Sequence, residues 1–154
     1  MRGCKLLLLL CAVLLPASEA AGQPPADTAA IRATALDYID GWYAGDAARM
    51  GRALHPDLAK RIVYTNRAGR TVLDHTTADQ LVAQTRDGGG TRTPAERRRS
   101  DVSILDVYQN AASVRITAGE WVDYLHLARV GGRWVIVNVL WELTPRRAPD
   151  DRSP

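Results

Sequence analysis

The chain has 154 residues and only two cysteines, Cys4 and Cys11, both near its start. It also lacks a long apolar run. Leu6–Leu15 is apolar but covers ten residues, too few for a helix that spans a bilayer. Arg2 and Lys5 precede this run, and Pro16 and the small-residue stretch Ala17-Ser18-Glu19-Ala20-Ala21 follow it. A basic start, a short apolar core and a small-x-small exit read as a signal peptide over residues 1–20, cleaved after Ala20. The expected location is secreted or periplasmic, with no membrane association once the leader is gone. Cleavage would remove both cysteines, so thiol chemistry and disulfide stapling are excluded for the exported chain.

No charge of one sign dominates. Without Arg2, Lys5 and Glu19 the chain keeps 18 basic and 16 acidic residues, a net charge of +2. A broad nucleic-acid surface is therefore not expected. The basic cluster Arg97-Arg98-Arg99, with Arg92 nearby, has no interleaved aromatics and reads as a solvated loop. His55, His75 and His126 show neither His-x-His nor His-Glu-x-x-His spacing, so no metal is expected. Gly88-Gly89-Gly90 is not followed by Gly-Lys-Ser/Thr, and no Gly-x-Ser-x-Gly elbow occurs. No catalytic constellation and no cofactor is expected on these grounds.

The remaining sequence is one domain's worth, about 134 residues. Asp27 or Thr28 can cap a helix on which Ile31, Ala35, Tyr38, Ile39 and Trp42 form an apolar stripe, with Asp37 and Asp40 off it. Gly45 ends that helix, and Asp46 caps a short second one over Ala47–Leu54, stopped by His55-Pro56. Strands are predicted over Leu58–Tyr64 and Thr71–Leu73. A capping box of Thr77 and Gln80 opens a helix over Ala78–Arg86. Four strands follow: Val102–Tyr108, Ala112–Thr117, Trp121–Val130 and Arg133–Leu143. The domain is placed at residues 27–144, and residues 145–154 read as a disordered tail. Helices packed on one face of a mainly antiparallel sheet define an α+β fold.

Gly131-Gly132 predicts a two-residue hairpin turn that pairs Val130 with Arg133. Continued without a break, this register puts Trp121, Asp123, Leu125, Leu127, Trp134, Ile136, Asn138, Leu140 and Glu142 on one face. Val122, Tyr124, His126, Ala128, Val135, Val137, Val139 and Trp141 then share the other. Helices can cover only one of these mostly apolar faces, so a second copy of the chain is the simplest cover for the other.

Several runs resemble the putative lumazine-binding family of the nuclear transport factor 2-like superfamily. They are Tyr38…Trp42-Tyr43-x-Gly45-Asp46, Leu54-His55-Pro56-Asp57-Leu58-Ala59-Lys60-Arg61, Asp123-Tyr124-Leu125-His126-Leu127 and Gly132-Arg133-Trp134-Val135-Ile136-Val137-Asn138-Val139-Leu140-Trp141. The resemblance covers nearly all of residues 27–143. It implies a cone, in which three N-terminal helices pack on a curved sheet around a cavity open at one end, and dimers formed through the outer sheet face. It does not assign an activity, because the superfamily holds isomerases, dehydratases, cyclases and binders.

Within that frame the expected ligand site is Tyr38, Trp42, His55, Trp121, Asp123 and Asn138. A carboxylate on an apolar wall is costly unless paired or wet, and a cavity would explain Asp123. The alternative is a structural ion pair with an arginine such as Arg115. Aromatic walls suit a pterin-like or lipophilic ligand. Tyr124, His126 and Trp141 are expected at a homodimer interface. The leading expectation is a non-catalytic small-molecule binder. The alternatives are an isomerase or dehydratase with Asp123 as general base and Tyr38 or His55 at the oxyanion, and a protein-interaction module using the second sheet face.

Overall fold

The computed structural model describes residues 25–145. The expected leader over residues 1–20 and all of the expected tail except Pro145 lie outside the described residues. Helix α1 spans Pro25–Ala44 and α2 spans Ala47–Ala53. Strand β1 (Leu54–Thr65) and β2 (Thr71–Thr76) follow, then α3 (Ala78–Arg86). A single 3₁₀ turn, Ala95–Arg97, leads to β3 (Asp101–Tyr108), β4 (Ala111–Thr117), β5 (Trp121–Val130) and β6 (Arg133–Leu143).

The six strands form one sheet in the order β2-β1-β6-β5-β4-β3. Four pairings are antiparallel, and β1 runs parallel to β6. The α+β class and the mainly antiparallel sheet match the sequence reading. The helix placement needs one correction, since α3 lies between β2 and β3 and only α1 and α2 are N-terminal to the sheet.

Local chemistry explains the helices. Helix α1 already includes Pro25, so Asp27 and Thr28 lie within it and do not cap it. Asp27 instead binds inward, accepting from Trp134 Nε1 at 3.2 Å and pairing with Arg129 at 3.4 Å. Gly45, at φ +70°, lets the chain leave α1. Asp46 then caps α2 by accepting from the Arg49 N–H. Arg49 ties the helix pair together, bonding Asp37 at 2.7 Å and Asp40 at 3.2 Å. Both halves of the Thr77–Gln80 capping box are formed at α3.

The stripe Ile31, Ala35, Tyr38 and Ile39 is buried against the sheet. From the sheet, Ile116, Leu125, Leu127, Ile136 and Val139 meet it and are almost fully buried. Each such side chain contributes about 1.5–3 kcal/mol on leaving water.

The β5–β6 hairpin departs from the expected register at one point. Val130↔Arg133 through Leu127↔Ile136 pair as predicted, but the next pair is His126↔Asn138. Val137 is thus an extra residue, a β-bulge. Beyond it every β6 side chain changes face relative to the unbroken alternation. Val139 and Trp141 turn inward, while Asn138 and Leu140 turn outward. Strand β1 is irregular beside the same point, between Leu54 and Ala59, where His55-Pro56-Asp57 leave the ladder. His55-Pro56 therefore does not stop a helix; the strand begins at Leu54, and proline sits where no ladder hydrogen bond is needed.

Candidate functional site

Between the helices and the inner sheet face lies a cavity of about 220 Å³. Tyr38, Ile39 and Trp42 of α1 and Met50 of α2 form one side. Lys60 of β1, Trp121 of β5 and Trp141 of β6 form the other, and Thr76, Leu81 and Gln84 contribute at the β2–α3 end. The wall is mostly apolar, with one cation.

Trp42 is held by glycine. A Cβ on Gly90 would lie 2.6 Å from the Trp42 ring, and one on Gly89 would lie 2.9 Å from the Trp42 carbonyl oxygen. The Gly90 N–H donates to that carbonyl at 2.9 Å. The triglycine segment therefore serves close packing behind the indole. On the opposite wall, Trp121 is braced by Tyr43 at 5.9 Å and meets Trp141 edge-on at 6.5 Å.

Asp123 is fully buried at 0 % exposure. Its Oδ1 accepts from Tyr38 OH at 3.2 Å and from Lys60 Nζ at 3.3 Å. Its Oδ2 accepts from Trp121 Nε1 at 2.7 Å. Lys60 Nζ also donates to Tyr38 OH, at 2.5 Å, and lies 4.6 Å from the Trp141 ring centroid and 5.2 Å from that of Tyr38. Lys60, 9 % exposed, meets the cavity directly, whereas Asp123 stands behind Tyr38, Lys60 and Trp121. Burial pushes the Lys60 ammonium below its ordinary pKa, against the opposing pull of the Asp123 charge. Burial first, then the Asp123 charge and hydrogen bond, push the Tyr38 hydroxyl well above its ordinary value.

The structure thus brings together four of the six expected ligand-site residues: Tyr38, Trp42, Trp121 and Asp123. Asn138 and His55 are elsewhere. The bulge turns Asn138 to the outer face, where its Oδ1 accepts from Arg61 at 3.2 Å and its Nδ2 lies 3.3 Å from His126 Nδ1. His55 sits in the irregular start of β1, where its Nδ1 accepts from the Asp57 N–H at 3.1 Å. It lines a shallow surface groove with Arg52 and Arg133, apart from the cavity. Trp141, expected at an outer interface, lines the cavity, while Tyr124 and His126 stay on the outer face, exposed. Val139, expected on that same outer face, is fully buried. The partner of Asp123 is not an arginine; Arg115 pairs opposite Tyr124 and is exposed.

Lys60 was missed. The available signal was compositional: it is the only lysine after Lys5 in a chain with 18 arginines. It also alternates with the apolar Leu58 and Ile62, as an inward-facing residue must.

A sequence model described as "Putative lumazine-binding" matches residues 26–142, nearly all of the sheet and its helices. The chain belongs to the putative lumazine-binding family. The same fold recurs in solved structures of nuclear transport factor 2-like proteins of unknown function. The protein from Methylobacillus flagellatus is 20% identical, with a TM-score of 0.64 over 79% of this chain and 95% of that one. Those from Shewanella baltica and Silicibacter pomeroyi are 19% and 18% identical, each with a TM-score of 0.60. They cover 78% and 77% of this chain and 95% and 97% of their own. No curated protein matches this lumazine-binding family member by sequence. At these identities the structural matches establish the fold of the family member, and its chemistry has to be argued from the cavity.

Proposed function

We propose that this protein is an exported, non-catalytic binder of a small planar molecule that carries a hydrogen-bond acceptor on its edge. One observation carries the reading. Lys60, neutralised by Asp123, offers donor capacity inside an otherwise apolar cavity walled by three tryptophans. The ion pair carries no net charge, so a neutral ligand suits it best. The cavity is smaller than the roughly 300–1,000 Å³ typical of drug-sized ligands. One or two fused rings suit that space and a steroid-sized molecule does not. A pterin-like bicycle, with carbonyl and ring-nitrogen acceptors, meets both conditions.

Catalysis by Asp123 is not favoured. A general base must reach the proton it abstracts, and both oxygens of this carboxylate are occupied behind the cavity wall. Export rests on the leader over residues 1–20, and mass analysis of the secreted protein would locate the cleavage. The proposed homodimer rests on the apolar outer face, where Tyr124 is 49 % and Leu140 42 % exposed. Light scattering tests it.

Tryptophan fluorescence tests the ligand. Lumazine or a pterin added to the purified protein should quench it saturably, and a tricyclic flavin or a steroid should not. An unsaturable response to every bicyclic compound would overturn the proposal.

A further inference from the structure

We propose that Lys60 is a nucleophilic amine that condenses reversibly with the carbonyl carbon of a small aldehyde or ketone seated in the cavity. The inference rests on the cavity being a ligand site, and adds covalent capture to it.

The first ground is the choice of cation. Apart from Asp57, which lies 3.7 Å from His55, the other paired carboxylates among the described residues use arginine: Asp37 and Asp40 pair with Arg49, Asp27 with Arg129, and Glu120 with Arg97. A guanidinium keeps its proton and cannot serve as a nucleophile, whereas a buried amine can shed its proton. The one lysine after Lys5 is placed at the cavity wall. The second ground is access. Nζ meets the open volume beside Trp141 and Tyr38, so a carbonyl carbon can approach it from the cavity.

The third ground is proton transfer. Asp123 Oδ1, 3.3 Å from Nζ, accepts the ammonium proton and frees the lone pair. The amine attacks the carbonyl carbon, an N–C bond forms, and the π pair moves to oxygen. A proton passes from the nitrogen to that oxygen, giving the neutral carbinolamine. The Tyr38 hydroxyl, which lines the cavity and is hydrogen-bonded to Asp123, gives its proton to the carbinolamine hydroxyl and takes back the one held by Asp123; the hydroxyl leaves as water while the nitrogen lone pair closes the C=N bond. The products are a protonated imine on Lys60, one water and the carboxylate restored. No oxidant or reductant is consumed. The apolar walls assist by desolvating the ammonium, and the lowered Lys60 pKa agrees with this.

The test is reductive trapping at neutral pH. The full chain is incubated with benzaldehyde and sodium cyanoborohydride and then mapped by mass spectrometry. Lys5 and the α-amino group are internal references. The α-amino group is a stringent one, since more of it is free amine at pH 7 than of an ordinary lysine. The expected result is alkylation of Lys60 about tenfold faster than either reference, slowed by excess lumazine. Lys60→Arg should lose the cavity adduct and keep the folded circular-dichroism spectrum. Labelling of Lys60 no faster than the α-amino group in the wild-type protein would overturn the inference. If lumazine still quenches tryptophan fluorescence in that case, the binding reading survives without it. If trapping succeeds and no bicycle quenches, covalent capture stands and the non-covalent reading fails.

Discussion

Two polar clusters sit on opposite faces of one sheet, and both begin on β1. Inside, Lys60, Tyr38, Asp123 and Trp121 form a closed group in which both carboxylate oxygens are hydrogen-bonded. Outside, Arg61 reaches Asn138, which lies against the exposed His126. The neighbours Lys60 and Arg61 feed one cluster each, because successive strand residues point to opposite faces. The difference teaches where polar groups carry energetic weight. Asp123 is fully buried and Lys60 nearly so, so removing one member of the inner cluster leaves another poorly paired away from bulk solvent; the outer one can exchange its partners for solvent.

The largest expected effect comes from breaking the inner pair. Asp123→Ala leaves a buried ammonium unpaired and should cost about 3–5 kcal/mol in denaturant unfolding. Adding Lys60→Met should recover a large part of that loss. Strict additivity of the two changes would show that the pair is not coupled. Trp121→Phe removes the donor to Asp123 Oδ2 but keeps most of the ring, and should cost about 1.5–3 kcal/mol. Asn138→Ala on the outer face should cost about 1 kcal/mol or less and leave ligand quenching unchanged. A larger loss there would erase the contrast between the faces.

Alkaline pH sharpens the same comparison. The raised Tyr38 pKa means that the unfolded chain releases this proton first. Its contribution is complete below the ordinary tyrosine pKa of about 10 and declines as pH rises beyond it. Lys60 acts in the opposite sense. Its lowered pKa means that the unfolded chain still holds a proton the folded protein has released, so stability rises with pH up to the ordinary lysine value of about 10.4. Wild type measured against Tyr38→Phe should therefore lose its relative advantage above about pH 10, and Lys60→Met should remove the opposing rise.

Much of the architecture was legible in the residues. The Thr77–Gln80 box, the Gly131-Gly132 turn and the pairing as far as Leu127↔Ile136 all rest on local chemistry with a fixed spacing. The site was half legible. Asp123 stood out because a carboxylate on an apolar strand face needs an explanation, and Tyr38 and Trp42 followed from the helical stripe. The bulge at Val137 left no mark, since one more valine in a β-branched run looks the same in register or out of it. Its consequences were the errors at Asn138, Leu140, Val139 and Trp141, all downstream of one unpaired residue. Lys60 was overlooked for a different reason: its partner is 63 positions away, and only the parallel placement of β1 beside β6 brings the two together.

Val137 also bears on how such proteins diverge. Insertions and deletions are usually tolerated in surface connections, yet here a single in-frame codon inside a strand selects which half of the following side chains turns inward. Deleting it would exchange Val139, in the core, and Trp141, on the cavity wall, for Asn138 and Leu140 without altering any of those four amino acids. Relatives with nearly the same β6 text could therefore enclose chemically different chambers.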